Sequence, residues 1–210
     1  MKIGVIGFGG IGGTVGTLWA KAGHGVLFSS RHPERLSSLV AEAGNTAQAG
    51  TIAQAASFAD VIFLAVYYWT TDEALAAAQS LEGKIIIDAT NPYIQTEAGQ
   101  IQRLPNTSSG LELAQKAPQA KVIKAYNTLP TATFANQHHR SEPYVLFYCG
   151  DDGDAKAIVA QLIVDSGFVG IDLGVLNNVI HQEPDGLLYN KPLTLEAARE
   201  LVASLSEAFA

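Results

Sequence analysis

Gly7-Phe8-Gly9-Gly10-Ile11-Gly12 places glycine at the three fixed positions of the pattern G-x-G-x-x-G. That spacing suits the grip of a pyrophosphate. Gly7 permits a tight turn, Gly9 lacks the β-carbon that would keep phosphate off the backbone, and Gly12 lets the next helix pack closely on the strand. The helix N-terminus adds free N–H groups and partial positive charge. In a chain with 20 glycines the letters alone are weak, and a turn with no ligand would read the same. The setting favours a dinucleotide: the apolar run Ile3–Ile6 comes immediately before, and Val15, Leu18, Trp19 and Ala22 recur at helical spacing after it.

The second strand, Gly25–Phe28, ends in Ser29-Ser30-Arg31, with Arg35 one helical turn further on. A site for NAD places Asp or Glu near this point to accept the ribose 2′-hydroxyl. Here a small hydroxyl and a guanidinium stand instead, a pair that can donate to and charge-match a 2′-phosphate. Solvated residues at a helix start would also read this way, but basic charge opposes the helix dipole there. The segment therefore favours NADP over NAD.

Other chemistries lack their residues. None of the seven tyrosines has Lys four positions on, which removes the Tyr-x-x-x-Lys proton donor. The chain lacks His-Glu-x-x-His and Cys-x-x-Cys, and the adjacent His138 and His139 sit in a polar loop, so no metal is expected. Transfer of hydride between nicotinamide and a flavin-like ring needs little acid–base help, only donor and acceptor held about 3–3.5 Å apart and kept dry. If a small imine or carbonyl were the acceptor, a proton donor would be needed, and Tyr67 and His138 are the candidates.

Short apolar runs alternate with helical patterns along the chain. Strands are expected at Ile3–Ile6, Gly25–Phe28, Thr46–Ala49, Val61–Val66, Lys84–Ala89, Lys121–Tyr126, Tyr144–Cys149 and Phe168–Leu173. Helices are expected after the glycine loop, after Pro33, over Ile52–Phe58, Thr71–Leu81 and Ser109–Ala117, from Ala157 toward Gly167, and over Leu195–Phe209. The capping box Ser109-Gly110-Leu111-Glu112 opens one of them. Runs such as Ile85-Ile86-Ile87, apolar at every position, suit a sheet covered on both faces. The fold class is α/β: a Rossmann-type, doubly wound, mostly parallel sheet. One domain over 1–210 is expected, with 1–135 the dinucleotide-binding core and 136–210 a βαβ and helical extension of the same sheet.

The pocket of such a fold lies beyond the carboxyl ends of its strands. Its expected walls are Tyr67, Tyr68 and Trp69, then Asn91, Pro92 and Tyr93, then Asn127, Thr128, Leu129 and Pro130. The aromatic run could stack on a flat cofactor, and equally could serve core packing or a dimer contact. Asn127–Pro143, the least regular stretch, is the expected lid or pocket wall.

Thirteen basic against 20 acidic residues give a net charge of −7, which argues against nucleic acid or an anionic membrane as partner. The longest apolar run, Val61–Trp69, is far below the roughly 20 residues of a membrane helix. The single Cys149 excludes an internal disulfide. With no leader-like segment ahead of the first strand, the expectation is a cytoplasmic protein. A charged fraction of only 16% leaves surface suited to burial in a homodimer.

Over nearly its whole length the chain resembles the NADPH-dependent F420 reductases, a family to which the cytosolic reductase domain of the STEAP metalloreductases is similar. The glycine loop, Ser29-Ser30-Arg31, Leu64-Ala65-Val66-Tyr67 and Asp88-Ala89-Thr90-Asn91-Pro92 carry the resemblance. So do Lys124-Ala125-Tyr126-Asn127-Thr128-Leu129-Pro130 and Gly150-Asp151-Asp152. The resemblance implies that Phe8, Gly9, Gly10 and Ile11 hold the pyrophosphate and that Ser30, Arg31 and Arg35 hold the 2′-phosphate. Val66, Tyr67, Asn91 and Pro92 would flank the nicotinamide, and Ala65 is also expected to touch the cofactor. It further implies hydride exchange between NADP(H) and a small-molecule redox acceptor, F420 or a flavin such as FMN or FAD. A non-catalytic NADP(H)-binding, redox-sensing module is the reading from another class.

Overall fold

The computed structural model describes residues 1–208. Among them, eight strands form one sheet: β1 (Lys2–Ile6), β2 (Gly25–Ser29), β3 (Ala47–Gly50), β4 (Val61–Leu64), β5 (Ile85–Asp88), β8 (Lys121–Lys124), β9 (Val145–Gly150) and β10 (Val169–Asp172). A separate antiparallel hairpin pairs β6 (Tyr93–Gln95) with β7 (Ile101–Arg103). The order across the large sheet is β10-β9-β8-β5-β4-β1-β2-β3. From β3 to β8 every pairing is parallel; β9 runs antiparallel to β8, and β10 parallel to β9. Residues beyond 135 thus extend the sheet that the N-terminal strands begin. Chain direction across the sheet reverses between β1 and β4, so a crevice opens beyond the carboxyl ends of these two strands.

Alternate residues on each central strand enter opposite cores. Phe63 faces Trp19, Phe28 and Tyr126, whereas Ile62 and Leu64 face Ile6, Ile86 and Val122 on the other side. This explains strands with no polar alternation. Helix α1 (Gly10–Lys21) brings Trp19 edge-on to Phe63 and Tyr126, and its indole N–H donates to the Leu162 carbonyl at 2.8 Å. Leu162 belongs to α7 (Gly153–Asp165), which covers the same face.

Several boundaries shift from the sequence expectation, each for a local reason. The helix after Pro33 begins as a 3-10 turn, Pro33–Leu36, before α2 (Ser37–Ala43), and Gly44 ends it at φ +96°. Helix α3 (Ile52–Phe58) has the expected bounds, with Thr51 and Gln54 forming a capping box. Helix α4 (Thr71–Ala78) stops three residues short of Leu81 because Gln79 turns left-handed at φ +67°. In α5 (Ser109–Lys116) the cap is Ser108, whose hydroxyl accepts from Leu111 N–H; Ser109 lies one residue inside and bonds elsewhere. The stretch expected to be irregular contains α6 (Thr131–Asn136). The last helix is α8 (Leu195–Ala208), and Phe209 lies outside the described residues.

Candidate dinucleotide site

The glycine loop lies at the reversal point, leading from β1 into α1. Gly7 adopts φ +99°, and a β-carbon there would come within 2.4 Å of the Ala65 carbonyl oxygen. At Gly12 a β-carbon would stand 1.7 Å from the Gly7 carbonyl oxygen. These two positions admit only glycine because backbone lies against backbone. Gly9 differs: its φ is −65°, and a β-carbon would meet nothing within 4 Å. The space over Gly9 is open at a helix N-terminus where no side chain caps the turn. That is the cradle a pyrophosphate requires. Gly10 is crowded from outside, by Thr131 at the start of α6. Phe8 is half exposed, and Ile11 packs partly against the core.

At the end of β2 the two serines part. The Ser29 hydroxyl donates to the Val5 carbonyl at 2.7 Å, which commits its proton to the sheet. The Ser30 oxygen accepts from the His32 N–H and so shapes the turn leading to α2. Arg31 is 79% exposed and touches Glu73 of α4 at 3.3 Å. With the strand order β4-β1-β2, that pair spans the crevice above the end of β1. An exposed single-contact pair of this kind adds little stability, so its guanidinium is free to exchange partners. Arg35 is also exposed.

Beyond β4 the chain passes through Ala65 and Val66, both half-buried, into a 3-10 turn at Tyr68–Thr70. Tyr67 is 68% exposed and lies parallel to Trp69, ring centroids 4.5 Å apart. Tyr68 turns the other way and donates to the Glu112 carboxylate; burial, then that bond, pushes its phenol up to about 12. The three rings therefore do not act as one wall.

Asn91 and Pro92 follow β5. The Asn91 amide donates to the Asn127 carbonyl at 2.9 Å and accepts from the Asn127 amide at 3.0 Å. Asn127 also donates to the Gln182 carbonyl at 2.7 Å. Of the expected third wall only Pro130 is exposed. Asn127, Thr128 and Leu129 are buried, held under the surface by these bonds and by packing in the core. They support the rim and do not line it. Tyr93 reaches Tyr189 oxygen to oxygen at 3.5 Å, within the small hairpin's side of the molecule. His138, weighed as a proton donor, lies near Lys21, at the end of α1 away from the loop by roughly 16 Å of helix.

One cluster escaped the sequence reading. Lys124, fully buried, places its ammonium 2.8 Å from Asp88, 2.9 Å from Glu183, and 2.7 Å from both the Thr90 carbonyl and the Ser109 hydroxyl. Burial alone would lower Lys124, but the two carboxylates outweigh it and hold the ammonium charged. Burial would raise Glu183, yet Lys124 and the donors Gly110 N–H and Ser109 O–H keep it below the usual carboxylate range. A signal was available: Asp88 and Lys124 each end a strand directly after an apolar run, Ile85-Ile86-Ile87 and Val122-Ile123, and charges in such places must pair. Glu183 gave none, being 59 residues further along in a loop. A cleft of about 540 Å³ opens beside this cluster, lined in part by Arg103, Ser108, Glu112, Glu183 and Asp185. Among the described residues no group of His, Cys, Asp and Glu could hold a metal, and no helix is long and apolar enough to cross a membrane.

Residues 2–92 match the family described as NADP oxidoreductase, coenzyme F420-dependent. The metalloreductase STEAP3 of Rattus norvegicus is 31% identical over 176 residues, covering 83% of this chain and 34% of the relative, so the chain spans about a third of that protein's length. Among solved structures, the hypothetical protein SMa0349 from Sinorhizobium meliloti is 31% identical with a TM-score of 0.78, covering 92% of this chain and 93% of its own. A protein from Arthrobacter sp. FB24, provisionally named an F420-dependent NADP-reductase, is 29% identical with a TM-score of 0.74, covering 84% and 86%. A reductive aminase from Aspergillus terreus, solved with NADPH and ethyl levulinate, shares the fold at 20% identity and a TM-score of 0.63, covering 99% and 61%.

Proposed function

The chain belongs to the family of coenzyme F420-dependent NADP oxidoreductases, and from that membership we propose that it exchanges hydride between NADP(H) and a flat redox acceptor, a deazaflavin or a flavin. The observation that carries this reading is the open space over Gly9 at the sheet's reversal point, next to a β2 end that offers Ser30 and Arg31 and no carboxylate of its own. NADPH, when bound, supplies the hydride. Gly9, Gly10 and the first N–H groups of α1 hold its pyrophosphate, and Ser30 with Arg31 and Arg35 receives the 2′-phosphate. Val66 and Asn91 border the nicotinamide, and Pro92, which is buried, supports that rim from behind.

Exposed Tyr67, backed by Trp69, presents a rigid ring on that border. A ring held this way loses little entropy when another flat ring stacks on it. We assign Tyr67 the acceptor side. The buried carboxylates nearest the border, Asp88 and Glu183, are both committed to Lys124, and a transfer between two ring systems needs no acid from the protein.

Stopped-flow oxidation of NADPH against F420, FMN and FAD tests the proposal. Rapid loss of NADPH absorbance with at least one of them is expected. Tyr67→Ala should then raise the KM for that acceptor by roughly tenfold, the worth of about 1–1.5 kcal/mol of stacking, with NADPH affinity unchanged. If the protein binds NADPH and none of the three is reduced, the acceptor assignment fails.

A further inference from the structure

We propose that the buried cluster of Lys124, Glu183 and Ser109 is a positioning device for the nicotinamide border, setting Thr90 and Asn91 before any cofactor arrives. The inference rests on the functional reading above. It begins with Thr90, whose three backbone and side-chain polar groups are all engaged: its N–H and hydroxyl donate to one Asp88 oxygen at 2.9 and 2.7 Å, and its carbonyl accepts from Lys124. The residue immediately before Asn91 therefore has no rotational freedom left.

The cluster also joins distant parts of the chain at that point. Lys124 comes from the end of β8, Ser109 and Gly110 from the first turn of α5, and Glu183 from the loop after the 3-10 helix Leu176–His181. Glu183 accepts from the Ser109 hydroxyl at 2.8 Å and from the Gly110 N–H at 3.0 Å. Its neighbour Gln182 donates through its amide to Asn127 at 3.1 Å, and Asn127 bonds Asn91. Two parallel routes thus lead from the 182–183 turn to the border, an ionic one ending at Thr90 and an amide one ending at Asn91.

Stability alone does not account for such an arrangement. One ammonium faces two carboxylates with essentially no solvent, and desolvating three charges costs what apolar side chains of the same volume would not. What ionic geometry adds is a unique spacing, since a charged atom held by four oxygens has one position. A ring that must lie flat against Asn91 benefits from a border fixed in advance.

The test separates the two halves of the nucleotide. Adenosine 2′,5′-bisphosphate carries only the half that meets Arg31, whereas NADPH also meets the border. Glu183→Leu leaves Lys124 and Asp88 as a neutral pair and cuts the link to the loop. By calorimetry it should bind the bisphosphate as the unaltered protein does and bind NADPH about tenfold more weakly, the loss of roughly one positioned contact. Glu183→Gln, whose carbonyl still accepts from Ser109 and Gly110, should restore NADPH affinity to within about threefold. Ser109→Ala, a milder change for use if Glu183→Leu does not fold, should show the same selectivity at about threefold. Equal weakening of both ligands, or no weakening of either in a folded variant, overturns the positioning role. Failure of the unaltered protein to bind either ligand overturns the functional reading instead.

Discussion

Gly9→Val is expected to abolish NADP(H) binding while leaving the melting temperature nearly unchanged. The two halves of that outcome have separate causes. A side chain at Gly9 enters space that no protein atom occupies within 4 Å, and the backbone there already has the negative φ that valine accepts. The fold therefore has no reason to object. The pyrophosphate, if it lies over Gly9, loses its approach to the N–H groups of the loop. Two charge-assisted hydrogen bonds at about 1.5–3 kcal/mol each correspond to at least a hundredfold loss of affinity. Gly12→Ala is the necessary contrast. Its single methyl would sit 1.7 Å from a backbone oxygen, so β1 and α1 must separate, and a loss of at least about 2 kcal/mol of stability should appear in chemical denaturation. If Gly9→Val binds NADPH normally, the loop is a tight turn and nothing more. If Gly9→Val unfolds as readily as Gly12→Ala, the open cradle is not there.

The contrast between these two glycines also shows what kind of information the sequence held. The pattern of strand, glycine loop and helix could be read directly, because periodicity and glycine spacing are local. The same holds for the two-sided sheet, since Ile85-Ile86-Ile87 and Val61–Leu64 leave no polar face. Reversal of β9 relative to β8 was not legible: an apolar strand reads alike in either direction, and only the connection through α6 decides it. The hairpin β6–β7 was missed because its three-residue strands are half polar and partly exposed. At the site, residues were identified better than their facing. Tyr67, Tyr68 and Trp69 are consecutive, yet the 3-10 turn sends Tyr68 to Glu112 and leaves the other two stacked. Asn127-Thr128-Leu129 follows a strand's carboxyl end as a pocket wall should, but Tyr126 at φ +63° folds that segment inward. Sequence position fixed the neighbourhood, while side-chain direction depended on partners as distant as Gln182.

Arg31→Ala should weaken NADPH binding by about 10- to 100-fold and leave NADH where it was, the worth of one charge-assisted contact of about 1.5–3 kcal/mol to a phosphate. Stability should barely move, because the side chain is 79% exposed and its one partner, Glu73, is 64% exposed at 3.3 Å. That partner matters to the argument. A carboxylate across the crevice competes with a 2′-phosphate for the same guanidinium and repels it as well. Glu73→Gln should accordingly bind NADPH a few-fold more tightly than the unaltered protein, with NADH again unaffected, on the scale of about 0.5–1 kcal/mol for an exposed pair. The double variant should fall close to Arg31→Ala and keep only the smaller gain from relieved repulsion, since removing the competition helps only while the guanidinium remains. Titrations of NADPH and NADH against all three proteins measure this directly. Parallel losses for the two nucleotides in Arg31→Ala would mean that Arg31 does not read the ribose phosphate. Preference for the phosphorylated cofactor would then have to come from Ser30 and Arg35.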